Sequence, residues 1–399
     1  MLNAYIYDGI RTPFGRHAGK LAPVRPDDLV AGLMKQLIAR AKVDPEQVED
    51  VLLGCACQAG EDARNVARHA VLLCGLPVTT PGITLNRLCS SGLAAVVDAA
   101  RAVSCGEGDL FIAGGVESMS RAPFVVAKSE SAYGRDFKVF DSAIGARFPN
   151  PEIIRVYGND SMPETADNLA HELNISRQDS DVFAAGSQAK YQAAKCAGFY
   201  DDEIAPVTIV GRKATVVVSE DEHPRPDTTL EGLVKLKALF PNGVVTAGNA
   251  SGVNDGAAVM VVGSRKLEEK GFGKPKVRIL SSAAAGVAPR IMGIGPVQAI
   301  KKALERAGLT LKDMDLIEIN EAFATQVLAC LKLLELRYDD SRVNPNGGAI
   351  AVGHPLGASG ARLALTAMRQ LERIQGRYAV VSLCIGVGQG LAIVIERCQ

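Results

Sequence analysis

The stretch Thr84-Leu-Asn-Arg-Leu-Cys89-Ser-Ser-Gly-Leu-Ala-Ala-Val-Val-Asp-Ala-Ala-Arg101 decides how the rest of the chain is read. A cysteine among small residues opens a run of Ala, Val and Leu that carries almost no charge. Ser90 and Ser91 are N-cap residue types, so the apolar run from Leu93 predicts a helix buried on most sides. Cys89 then falls at or just before a helix N-terminus, where unpaired N–H groups and the positive end of the dipole favour thiolate over thiol. A free cysteine also packs well as a small hydrophobe. What separates the two readings is the rest of the chain.

Working outward, the chain repeats itself. Asp28–Ala39 has an amphipathic helix pattern and runs into Val43–Gly54, while Gly295–Arg306 runs into Leu311–Asn320; both read helix, acidic turn, short buried strand. Leu88-Cys-Ser-Ser-Gly92 is echoed by Leu356-Gly-Ala-Ser-Gly360, and Asp109–Val116 by Ala379–Val387. The spacings are 266 (Gly54 to Asn320), 268 (Ser91 to Ser359) and 271 (Gly115 to Gly386). Matches in register at nearly one spacing imply a duplicated α/β unit. Strands alternating with helices in each copy predict sheets covered on both faces, and two of them stacked give a five-layer αβαβα core.

Between the copies, residues 118–246 are different in kind: charged patches, scattered prolines and one clear helix pattern at Ser176–Lys195. The chain divides into a first half at 1–117 and 247–270, an inserted loop domain at 118–246, and a second half at 271–399. The first half's last strand resumes at Ala257–Val262. Overlaying the copies puts Cys89 on Gly357, Cys384 on Ala113 and Asn320 on Gly54. Each half supplies polar groups that the other lacks, so one composite site is expected at their junction.

Composition excludes several classes. Lys+Arg and Asp+Glu both number 44 in 399 residues, so nothing asks for nucleic acid or an anionic membrane. Hydrophobic residues at 47% against 22% charged supply a large core. The N-terminus lacks a signal-peptide pattern, and no apolar run is expected to span a membrane. Nine scattered cysteines, an odd number, suit free thiols in a reducing compartment, hence the cytoplasm. Cys55-x-Cys57 has no second ligand pair nearby and reads as core packing, with no metal expected.

The remaining polar groups collect in glycine-rich turns of the second half: Asn320-Glu-Ala-Phe323, Asn344-Pro-Asn-Gly-Gly-Ala-Ile-Ala-Val-Gly-His354-Pro-Leu-Gly and Cys384-Ile-Gly-Val-Gly-Gln-Gly390. The last lacks both G-x-G-x-x-G and the Walker lysine, which argues against a nucleotide fold. Of five histidines, only His354 stands between Gly and Pro in such a turn. Two cysteines, a histidine and an asparagine form a coherent kit: one thiolate takes an acyl group, an imidazole activates it, a second thiol moves a proton, and an amide helps hold an oxyanion.

On these residues the chain resembles the thiolase family over its full length. The resemblance runs through Asn86-Arg-Leu-Cys89-Ser-Ser-Gly, Gly114-Gly-Val-Glu-Ser-Met-Ser, Asn249-Ala-Ser-Gly-Val-Asn-Asp-Gly-Ala, Asn320-Glu-Ala-Phe, Gly353-His354-Pro and Cys384-Ile-Gly. Within the family it is most similar to the 3-oxoadipyl-CoA type, through Gly60–Arg68, Tyr157–Ala166, Val287–Pro296 and Gly386–Gly390. The resemblance implies two βαβαβαββ halves and thiolysis of a 3-oxoacyl-CoA, with CoA as a substrate and no cofactor. Cys89 would be the nucleophile, His354 its base, Cys384 the acid at the α-carbon, and Asn320 the holder of a water in the oxyanion hole. Arg225 would lie near the CoA phosphates, Ser251 would bond the pantetheine, and Ala247, Phe323 and Met162 would line its tunnel. Met292 would border the acyl pocket; a dicarboxylic tail there would need a cation, for which Arg290 and Arg147 are the candidates, an ordinary salt bridge being the other reading of each. A homotetramer, built as a dimer of dimers, is implied as well. Ser161-Met162 stands where acetoacetyl-CoA thiolases carry His-Met, which disfavours that small substrate. Acetoacetyl-CoA or fatty-acid β-oxidation thiolysis, and a non-catalytic acyl-CoA-binding protein, are the rival readings.

Overall fold

The computed structural model describes residues 2–398. Side-chain alternation along the strands sets the layering. In Asp50–Gly54, Leu52 faces one way and Val51 and Leu53 the other. Leu52, Phe111, Ala113, Ala258 and Met260 of the first half point at two helices, Ser91–Cys105 and Leu356–Ile374. Val381, Leu383, Ile393 and Ile395 of the second half meet the same helices from the opposite side. Helices Pro26–Arg40 and Val66–Cys74 cover the outer face of the first half's strands. Helices Gly295–Ala307 and Ala324–Leu333 cover the outer face of the second. The expected order helix, sheet, helix, sheet, helix is the one observed.

The two middle helices touch through glycine. A Cβ on Gly92 would lie 2.4 Å from the Gly357 carbonyl oxygen, and one on Gly360 would lie 2.5 Å from the Leu93 nitrogen. Larger residues would push these helices apart. By length and composition Leu88–Cys105 is apolar enough to cross a membrane, contrary to expectation, yet it occupies the central layer and 61% of that window is buried.

Strand pairing repeats. In the first half Asp50–Gly54 runs parallel to Leu110–Ser118, which runs antiparallel to Asn254–Gly263 and then Ala4–Arg11. In the second, Leu316–Ile319, Tyr378–Ile385, Gln389–Arg397 and Val277–Gly286 pair in the same order and sense. Even the register irregularity recurs, at Ile6/Asp8 and at Ile279/Ser281. Among the described residues the strands of the two halves pair through Ala4↔Ile279, Tyr5↔Arg278 and Ile6↔Val277.

This register corrects one overlay. Val51 pairs with Ile112, and its equivalent Ile317 pairs with Val380, so this strand repeats at 268 and not at 271. Cys384 therefore lies over Val116, whereas Asn320 over Gly54 agrees with the pairing. The shared glycines near the strand ends had drawn the sequence match three residues out of step.

Residues 118–246 hold two small hairpins, Phe124–Val126 with Val139–Asp141 and Val207–Val210 with Thr215–Val218. Helix Arg177–Cys196 is the one expected over Ser176–Lys195, and the Ser176 hydroxyl caps it by accepting the Asp179 N–H.

Candidate active site

Cys89 lies in a 3-10 turn, Leu88–Ser90, that leads into helix Ser91–Cys105. Ser90 does not cap that helix: its hydroxyl is buried without a partner. Ser91 instead braces the turn, donating to the Leu88 carbonyl at 2.7 Å and accepting the Arg87 N–H at 2.8 Å. Asn86 Oδ1 accepts the Leu88 N–H at 2.9 Å. These bonds hold Leu88 at φ 47°, a region a leucine enters only under constraint. The expected stabilisation of a thiolate is not met. Burial, with the Glu117 charge adding, pushes the Cys89 thiol up, although the Gly386 N–H acts in the other direction. Cys89 rests as a thiol, and a thiol in that state could attack only with the help of a base.

A candidate base stands beside Gly353, which turns the chain at φ 107°. The next residue, His354, donates its backbone N–H to Asn254 Oδ1 at 2.8 Å. Its Nδ1 is 2.6 Å from Ser359 Oγ, and the Ser359 hydroxyl donates to the Pro355 carbonyl at 2.8 Å. A hydroxyl has one proton to give, so Nδ1–H must be the donor of the first bond. The proton-free Nε2 then faces Asn320, whose Nδ2 is 3.4 Å away. Burial, followed by the Arg362 charge, pulls His354 down to about 3, leaving a neutral imidazole with an open Nε2.

Asn320 follows strand Leu316–Ile319 and gives its N–H to the Ser382 carbonyl at 3.0 Å. Its Oδ1 is buried with no protein partner. Two residues beyond Ser382 on the neighbouring strand comes Cys384, 1% exposed. Burial and then the nearby Cys89 sulfur push the Cys384 thiol well up. A Cβ on Gly386 would lie 3.3 Å from Leu88 Cδ1 and 3.8 Å from Met162 Sδ, which ties the Cys384 loop to the Cys89 turn.

An apolar cluster surrounds Cys384. It contains Ala166, Val245, Met292, Ala322 and Phe323, with Met162 and Ala250 packed against it. Ser251 joins by giving its N–H to the Ala322 carbonyl at 2.9 Å, and Ala247, next in the chain to the buried Val245-Thr246, is exposed. Arg225 and Arg290 lie outside this cluster. The Arg225 side chain is exposed, with its backbone N–H on Gln188 Oε1 at 2.9 Å. Arg290 is paired with Asp160 at 2.8 Å.

Glu117 was missed by sequence reasoning. Its carboxylate is 1% exposed and accepts the backbone N–H groups of Ala56 at 2.9 Å, Cys57 at 3.0 Å and Gly357 at 2.8 Å. One side chain thus fastens the turn after His354 to a loop of the other half. The only signal was the acid inside Gly-Gly-Val-Glu-Ser-Met-Ser, whose neighbours are apolar. Glu117→Gln should lower the folding free energy by about 2 kcal/mol, because an amide NH2 would meet a backbone donor in a buried site. Thermal melting of the variant checks this, and an unchanged melting temperature would refute the fastening role.

The chain matches the thiolase N-terminal domain over residues 4–266 and the thiolase C-terminal domain over residues 273–397. It is 57% identical to a beta-ketoadipyl-CoA thiolase of Pseudomonas aeruginosa, covering 98% of both chains. It is 56% identical to the 3-oxoadipyl-CoA/3-oxo-5,6-dehydrosuberyl-CoA thiolase of Escherichia coli, covering 100% of both. Among solved structures it is similar to human mitochondrial 3-ketoacyl-CoA thiolase in complex with CoA, with a TM-score of 0.91 and 42% identity over 100% of this chain and 98% of that one.

Proposed function

The chain belongs to the thiolase family, and from that premise we propose that it is an acyltransferase that cleaves 3-oxoadipyl-CoA with CoA, giving succinyl-CoA and acetyl-CoA. The observation that carries the chemistry is the Ser359–His354–Asn320 chain, which leaves a neutral Nε2 open, beside a pair of protonated thiols, Cys89 and Cys384, close enough to act on one another.

In the first half-reaction His354 Nε2 takes the Cys89 proton and the sulfur attacks the keto carbon. The alkoxide that forms is stabilised by the new Nε2–H and by a water held on Asn320. The C2–C3 bond then breaks, its electrons pass into the enolate of acetyl-CoA, and Cys384 protonates the α-carbon. Cys89 is left as a succinyl thioester. In the second half-reaction Cys384, now a thiolate, takes the proton of free CoA, and the CoA sulfur attacks the thioester. Cys89 leaves and recovers its proton from His354. Protons balance across the cycle, and no metal or redox group takes part in it.

Met162, Met292 and Phe323, together around Cys384, support a pantetheine and acyl channel there. Ser251 would bond the pantetheine beside Ala322, Ala247 would line the mouth, and Arg225 would meet the CoA phosphates. Residues 118–246 we take as the inserted loop domain that carries Met162 into the site. They also hold exposed apolar side chains, Phe124, Phe137 and Ile144 among them, and such surfaces suit contact with further copies of the chain. A dimer of dimers, working in the cytoplasm, fits this reading.

Mass spectrometry of the enzyme mixed with 3-oxoadipyl-CoA without free CoA is the test. The expected result is a succinyl adduct on the peptide containing Cys89, lost when CoA is added. Turnover of acetoacetyl-CoA with no adduct from 3-oxoadipyl-CoA would replace this substrate with the smaller one.

A further inference from the structure

The acyl tail of 3-oxoadipyl-CoA ends in a carboxylate, and the cluster around Cys384 is apolar. A carboxylate taken into such a pocket without a cation loses its hydration with nothing to replace it, which is strongly unfavourable. Resting on the substrate assignment above, we propose that Arg147 is the residue that binds this carboxylate and sets the preference for a dicarboxylic acyl chain.

Three other arginines are placed differently. Arg290 is bound by Asp160, its side chain is 61% exposed, and the acid beside it would repel a second carboxylate. Arg87 reaches Gln389 Oε1 of the last strand at 3.5 Å. Arg362 is 1% exposed, and its charge acts on the equally enclosed Glu318. Arg147 differs from these. It is half-buried, and both terminal nitrogens converge on one neutral acceptor, the Cys57 carbonyl, at 3.3 and 3.2 Å. Among the described residues no carboxylate is in salt-bridge contact with it. A guanidinium has five N–H groups, so donors remain for a bidentate carboxylate.

Its position is tied to the nucleophile through short links. Ser142 Oγ lies 3.5 Å from Cys57 Sγ, which holds the 141–147 segment against the Cys55–Cys57 loop. The Ala56 carbonyl of that loop accepts from Asn86 Nδ2 at 3.1 Å, and the same Asn86 holds the Leu88 N–H immediately before Cys89. The free carboxylate of a succinyl thioester is three carbon–carbon bonds from its carbonyl carbon, a short step that suits a flexible arginine anchored on the adjoining loop.

The test compares kcat/KM for 3-oxoadipyl-CoA with that for 3-oxohexanoyl-CoA, which has the same chain length and no terminal carboxylate. In Arg147→Ala the ratio of the two should fall about 100-fold, and Arg147→Lys should restore part of it, since it returns a charge without the planar fork. Because both substrates share the chemistry, a folding or catalytic defect lowers both together and leaves the ratio alone. An unchanged ratio, or the same collapse in Arg290→Ala, overturns the role of Arg147 while the thiolase reading stands. Wild-type enzyme that cleaves 3-oxohexanoyl-CoA but not 3-oxoadipyl-CoA would overturn both.

Discussion

Cys89→Ala is expected to lower kcat/KM for thiolysis by at least about 10⁴-fold, with no succinyl adduct detectable and little change in melting temperature. The size follows from the role: without the sulfur there is no covalent intermediate, and direct attack by CoA must cross a single, higher barrier. The small effect on stability follows from the site. Cys89 is only partly buried and stands in a turn whose shape is set by Asn86 and Ser91, so removal of its sulfur leaves those bonds in place. Cys89→Ser should be nearly as inactive, because a hydroxyl is a far weaker acid than a thiol and His354, held at about 3, is a weak base for it. Release of acetyl-CoA in steady state measures both variants. Activity in Cys89→Ala above about one per cent of wild type would place the nucleophile elsewhere.

Much of this arrangement was legible in the chain. The layers could be read because strand and helix periods repeat in two copies, and the two middle helices announce themselves by glycine and alanine where ordinary core helices carry leucine. The overlay failed at Cys384, since a run of glycines matches a neighbouring run equally well in several registers, and only hydrogen-bond pairing distinguishes them. The resting state of Cys89 was also out of reach. A helix N-terminus argues for thiolate, but the burial that wins over it is a product of the fold, which brings Gly386 and Glu117, both distant in sequence, to the Cys89 turn. Ser359 and Glu117 were hidden for a related reason. Each acts through partners that the fold delivers, His354 across a helical turn for Ser359 and Ala56, Cys57 and Gly357 for Glu117, and neither residue type is unusual in itself.

His354→Ala should cost about 10³- to 10⁴-fold in kcat, and the pH dependence of the wild type should show why. The imidazole is pulled to about 3 in the folded protein, so acid inactivation through this group should begin well below the range near 6.5 where an ordinary histidine titrates. Stability carries the opposite side of the same shift. The unfolded chain binds a proton at His354 from about 6.5 downward, the folded chain not until about 3, so acid favours unfolding across that interval. This contribution is fully present above pH 6.5 and is lost as pH falls; the melting temperature of wild type should therefore drop more steeply from pH 6.5 to 4 than that of His354→Ala. Ser359→Ala separates orientation from acidity. It keeps the ring but removes the acceptor that holds the proton on Nδ1, so the Nε2–H tautomer, useless as a base, gains population and kcat falls about tenfold. An acid limb centred near pH 6.5 in wild type, or a Ser359→Ala enzyme with unaltered kcat, would mean that another group takes the proton from Cys89.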